Sequence, residues 1–137
     1  MNDMSGFRNW QTPRPERHLG EAIRRGLMGR CPACGRGRLF RAYLKLERSC
    51  NICGEDLSHA RADDAPAYLT LLIVCHAVGG GVLTTDEMWP QVPLMATAFV
   101  WLAVAIVGSL ALLPPMKGAV VGQQWALGMH GFGRDAA

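Results

Sequence analysis

Two cysteine pairs are the part of this 137-residue chain whose residue types and spacing define a chemistry. Cys31-Pro32-Ala33-Cys34-Gly35 and Cys50-Asn51-Ile52-Cys53-Gly54 are separated by 15 residues, a spacing that suits a four-cysteine zinc site. Each pair sets two thiolates on one tight turn, and the glycine that follows takes the positive φ needed to leave the turn. A site closed by Cys31, Cys34, Cys50 and Cys53 has no open coordination position and activates no water, so the expected metal is a structural Zn²⁺. Iron in the same four-thiolate geometry, as in a rubredoxin-like electron carrier, is the competing reading. The short intervening hairpin favours zinc. Four thiolates around Zn²⁺ carry a formal charge of −2, which accounts for Arg30, Arg36, Arg38 and Arg48 beside them without nucleic acid.

A few other residues carry chemistry singly. His76, next to Cys75, falls about 16 Å into the first apolar run, near the depth where an ionisable group is a functional candidate. The two side chains diverge by about 100° on a helix, so they do not form one intrahelical metal site. The expected role of His76 is a neutral hydrogen bond across to a second helix, with haem or copper ligation as the alternative. Asp64 is placed to cap that first helix, a role that leaves Asp63 unexplained. Lys117 is expected near both aspartates, where an ion pair would cross the helix ends. His59 is expected to be a surface residue.

The elements that position these residues follow from the charge pattern. Residues 65–116 carry two formal charges, Asp86 and Glu87, which split the stretch into uncharged runs of 21 and 29 residues. Each exceeds the about 20 residues that a helix needs to cross a bilayer, and lipid requires every backbone polar group to be satisfied within the segment. The expected fold is therefore a mainly α membrane protein: a two-helix transmembrane hairpin behind an N-terminal cytoplasmic zinc ribbon of small β type. Residues 1–64 hold 12 of the 14 Lys and Arg, so both termini are expected in the cytoplasm and the Asp86/Glu87 connection outside. No secretory signal pattern precedes the first apolar run, and thiols in the cytoplasm stay reduced, which favours metal over disulfides.

Along the chain, residues 1–15 read as a disordered lead. Residues 16–29 form a basic amphipathic helix with Leu19, Ala22, Ile23 and Leu27 on one side, lying either on the anionic leaflet or against the next domain. The ribbon occupies 30–62, with Leu44–Glu47 alternating like a half-buried strand and Leu39, Phe40 and Tyr43 as apolar cover. The hairpin occupies 63–116, with spans at about 66–85 and 93–113; the second ends at Pro114-Pro115. Ala77 and Gly81, with Gly79 and Gly80 between them, and Ala105 and Ser109 offer close helix approach. Residues 117–137 form a cytoplasmic tail that lies in the membrane interface.

This order resembles a bacterial family, domain of unknown function 983. The matching residues are Cys31, Pro32, Cys34, Gly35, Leu39, Phe40, Cys50, Cys53, Gly54, Ala62, Asp63, Asp64, Pro66, Ala67, His76, Pro115, Lys117, Gly118, Gln124 and Trp125, spread over roughly residues 25–128. Ala65 departs from the family's Asp-Asp-Gly-Pro. The family has no assigned activity. In α-proteobacteria, members often look like neighbours of genes for haem-copper oxidase subunits and assembly factors, so the resemblance implies a pathway rather than a mechanism, and the expected role is a non-enzymatic inner-membrane accessory to a respiratory oxidase. No nucleophile, acid/base pair or phosphate loop is present to suggest an enzyme. A redox or metal-handling protein is the alternative, and a membrane-anchored nucleic-acid ribbon the weaker one. The partners expected are lipid and oxidase subunits or assembly factors, with a homo-oligomer left open.

Overall fold

The computed structural model describes residues 17–60, 64–129 and 132; the expected disordered lead and Asp63 lie outside them. The chain is mainly helical. It runs α1 (Leu19–Leu27), β1 (Phe40–Ala42), β2 (Lys45–Leu46), α2 (Ala65–Met88) and α3 (Leu94–Leu127), and β1 and β2 form one antiparallel two-stranded sheet.

Helix α2 begins with Pro66 in its first turn, where a missing N–H costs nothing. Asp64 stands at the N-cap but has φ −102° and ψ −19° and makes no side-chain cap bond, contrary to expectation. A capping residue needs extended backbone to turn its carboxylate back onto the first free N–H groups; Asp64 is already helical, and only its carbonyl serves, accepting from Tyr68 N–H at 3.1 Å. At the other end α2 continues to Met88, so Asp86 and Glu87 sit in its last turn rather than in a loop. The break comes at Trp89, one residue before Pro90, which disfavours helical backbone in the residue preceding it.

Gly81 receives the indole of Trp101, which fills the space that a Cβ there would need. The Trp101 Nε1–H donates to Thr85 Oγ1 at 3.2 Å, and Thr85 donates in turn to the Gly81 carbonyl at 2.8 Å. Gly81 thus makes room for a side chain rather than for the close approach of the helix backbones expected there. Gly79 and Gly80 do neither: both face open space. Pro66, Thr70 and Val74 form the buried stripe of α2. Both helices are long and apolar enough to cross a membrane, and little of either is buried, which distinguishes them from the core helices of a soluble domain.

Helix α3 does not stop at Pro114-Pro115; it runs through both to Leu127 and ends on left-handed Gly128. A proline inside a helix leaves the carbonyl four residues earlier without its donor, here those of Leu110 and Ala111. The Tyr43 hydroxyl donates to the Leu110 carbonyl at 2.6 Å. Lys117 Nζ donates to the Leu44 carbonyl at 2.6 Å, which fixes the hairpin tip against the helix from the far side of the two prolines. Leu44, expected in the strand, instead makes the turn with φ +58°, the single positive-φ residue other than glycine among those described. We expect Tyr43→Phe to remove about 1 kcal/mol, seen as roughly fivefold faster amide exchange around residues 116–121.

The segment beyond the prolines is therefore a continuation of α3 and not a separate interfacial tail. Gly118, Val120, Val121, Gly122 and Gln124 are buried, and Val120 and Val121 join Leu39 and Leu57 in the core, with Phe40, Leu46 and Ala60 packed around them. Helix α1 lies on the same segment. Ala22 and Gly26 are its buried residues, while Leu19 and Leu27 of the expected apolar face stay largely exposed. Its main chain meets α3 directly, Gly26 against Gly118 and Ala22 against Gly122.

Candidate metal centre

Each knuckle is built the same way. The Gly35 N–H returns to the Cys31 carbonyl at 2.8 Å and the Gly54 N–H to the Cys50 carbonyl at 3.0 Å. Both glycines are left-handed, at φ +69° and +75°, as expected. Single antiparallel bridges, Arg30 with Arg38 and Ser49 with Asp56, close the two loops.

The four sulfurs converge, all within 4.8 Å of one another. Cys31 and Cys53 are 3.7 Å apart, as are Cys34 and Cys50. A tetrahedral Zn²⁺ with bonds of about 2.3 Å has sulfur–sulfur edges of about 3.8 Å, so the cysteines fit one tetrahedral metal. They would hold it as four thiolates and close it to substrate. The same set fits iron, and geometry alone does not separate the two.

The sulfurs differ electrostatically. Burial pushes the Cys31 thiol well above its ordinary range, against opposing main-chain N–H bonds. Burial also raises Cys53, helped by the Cys50 and Cys34 side chains. For Cys34, burial again opposes ionisation, but the N–H groups of Gly37 and Arg36, both at 3.4 Å, outweigh it together with the neighbouring thiols and bring the group down to about 6. Cys50 is lowered likewise: burial is overcome by the N–H groups of Cys53 and Ile52 and the Cys53 thiol. A metal requires all four as thiolates. Loading at neutral pH should therefore release fewer than the four protons expected if every thiol were protonated, because Cys34 has already lost its own. Affinity should fall more steeply with acidity below about pH 6, as Cys34 protonates too; calorimetry in buffers of different ionisation enthalpy checks both.

Two supporting residues, Gly37 and Arg25, are not marked as site residues by the sequence, where Arg25 reads only as part of the polar face of α1. Gly37 lies where the Cys50 sulfur comes against the first knuckle, and a Cβ there would overlap that sulfur. Its only sequence signal is the second glycine in Cys-Gly-Arg-Gly. Gly37→Ala should weaken metal binding about 10–100-fold, as supporting-shell changes do, measurable by competition with a chromophoric chelator. Arg25 of α1 donates to the Pro32 and Ala33 carbonyls at 3.1 and 3.0 Å and pairs with Glu21, which ties the first knuckle to α1. The second knuckle is tied to α3, where Trp125 Nε1–H donates to Glu55 at 3.0 Å while Arg17 stacks on the Trp125 ring.

The remaining expected site residues are not gathered here. Lys117 is held by the Leu44 carbonyl, and among the described residues it forms no ion pair with Asp64. His76 bonds through Nδ1 to the Leu72 carbonyl of its own helix at 2.7 Å, and no bond from it across the hairpin forms among the described residues. Cys75 is exposed and free. His59 is half-buried, beside Asp56 and edge-on to Phe132.

Fold and site together define a four-cysteine metal ribbon carried on a hairpin of two long apolar helices. The family model described as a protein of unknown function, DUF983, matches residues 40–125, and the chain belongs to that family. The match contains Cys50, Cys53, α2 and all but the last two residues of α3 but begins after Cys31 and Cys34, so the first knuckle is assigned by geometry. No curated protein and no solved structure matches the chain.

Proposed function

We propose that this chain is a non-enzymatic membrane protein whose zinc-held head, on the cytoplasmic side of the bacterial inner membrane with both termini, is a rigid docking element. Its partner, on the family resemblance, is a respiratory haem-copper oxidase or an assembly factor for one. The observation that carries the reading is the convergence of four sulfurs within 4.8 Å on a head continuous with α3. A closed four-thiolate site stabilises a fold and leaves no position for substrate.

Deleting the gene should lower assembled oxidase without changing its transcripts; normal oxidase in the deletant would remove that partner. Purified protein should contain one zinc per chain and no visible absorption. Thiolate-to-iron bands would instead support an electron carrier, since iron accepts the same four sulfurs. A cysteine placed at Gln91 should be labelled from outside intact cells while Cys53 is not, and labelling of Cys53 would overturn the orientation.

A further inference from the structure

The ribbon presents Arg30, Arg36, Arg38, Arg41, Lys45 and Arg48 to solvent, and among the described residues none of the six is in an ion pair; the pairs formed are Arg25–Glu21 and His59–Asp56. Of these cations, Arg41 and Lys45 flank the hairpin tip, whose depth is set by the Tyr43 hydrogen bond to Leu110. Leu110 is 16 residues beyond the start of α3, about 24 Å along its axis. With an apolar layer of about 30 Å beginning near Leu94, it falls about one turn short of the far boundary. Tyr43, 55% exposed, then lies in the layer where amphipathic rings collect. Arg41 and Lys45 stand beside it at headgroup level. The knuckles lie away from the bilayer, since Glu55 bonds to Trp125, 15 residues beyond Leu110.

We propose that the β1–β2 hairpin is a binding surface for anionic phospholipid headgroups, with Arg41 and Lys45 contacting phosphate and Tyr43 anchoring the tip in the interface. This rests on the membrane reading above. A cation near an anionic leaflet gains enough to shift a lipid-exchange constant about fivefold, and salt weakens the effect. A nucleic-acid duplex would need the cations turned away from the bilayer, whereas the Tyr43 contact holds this pair against it.

The test uses the full-length, metal-loaded protein in phosphatidylcholine bilayers with trace spin-labelled phosphatidylglycerol or phosphatidylcholine, reading the motionally restricted fraction by electron paramagnetic resonance. The wild type should prefer phosphatidylglycerol. Arg41→Gln and Lys45→Gln should each reduce that preference about fivefold while metal content stays at one per chain. Arg36→Gln, which removes the same charge from the knuckle end, should leave it in place. The proposal is overturned if the Arg41→Gln/Lys45→Gln double variant keeps the wild-type preference, if Arg36→Gln loses as much, or if the double variant loses RNA binding in a gel shift with lipid preference unchanged. Failure to enter the bilayer with either labelled lipid would instead strike the membrane reading itself.

Discussion

Substituting Cys50 by serine, or withdrawing the metal with a chelator, will unravel the ribbon and, with it, the last three turns of α3, while α2 and the first twenty residues of α3 stay helical. The ribbon's own fully buried apolar side chains are few, chiefly Leu39 and Leu57, and a unit of that size does not bury enough surface to fold alone. In small zinc peptides the metal contributes about 10–16 kcal/mol of apparent folding free energy at neutral pH, more than this core can replace. Loss then spreads along α3 for structural reasons. Val120 and Val121 lose the cover of Leu39 and Leu57, and the bonds from Tyr43 and to Leu44 on either side of Pro114-Pro115 lose their anchor. What remains beyond the prolines is about one isolated helix of marginal length. Hydrogen exchange should show protection collapsing in 30–60 and 118–127 and persisting in 66–88 and 94–113. Unchanged protection of 118–127 after metal removal would show that the head and helix are not one cooperative unit.

What could be read in the chain beforehand was local. The CxxCG knuckles, with Gly35 and Gly54 left-handed, and the two apolar runs each follow from a few consecutive residues and from the chemistry of sulfur or of lipid. What escaped was set by partners far along the sequence. Pro114-Pro115 reads as a helix end because nothing nearby can satisfy Leu110, and the group that does so, Tyr43, is 67 residues away. Gly37 looks like a loop glycine until Cys50 is brought against it. The single residues mislead in the other direction: position alone suggests a cap for Asp64 and a bond across the hairpin for His76, whereas Asp64 has helical backbone and His76 bonds to the Leu72 carbonyl four residues earlier.

The α1–α3 crossing gives the second large effect, and the apolar pattern of α1 marks only part of it. Hydrophobic periodicity points to Leu19, Ala22, Ile23 and Leu27, and of these Ala22 is in the contact, which is made by small residues at a spacing of four, Ala22 and Gly26 against Gly118 and Gly122. A Cβ on Gly26 would fall on the main chain of Gly118, one on Gly118 on the main chain of Gly26, and one on Gly122 on the Ala22 carbonyl. A side chain can change rotamer to make room; a helix backbone cannot, so the helices must separate. Gly118→Leu should therefore cost about 3 kcal/mol or more, at or beyond the top of the usual range for overpacking. Gly108→Ala on the same helix, where a Cβ meets open space, should be neutral or stabilising by up to about 1 kcal/mol. Separation also withdraws Arg25 from the Pro32 and Ala33 carbonyls and Arg17 from Trp125, so metal affinity should fall in Gly118→Leu and not in Gly108→Ala. Because Gly26 and Gly118 share one contact, Gly26→Ala and Gly118→Ala should together cost less than the sum of the two alone. Additive losses would mean that the two glycines do not share one contact, and a Gly118→Leu protein that binds metal as tightly as the wild type would mean that α1 is not part of what holds the first knuckle in place.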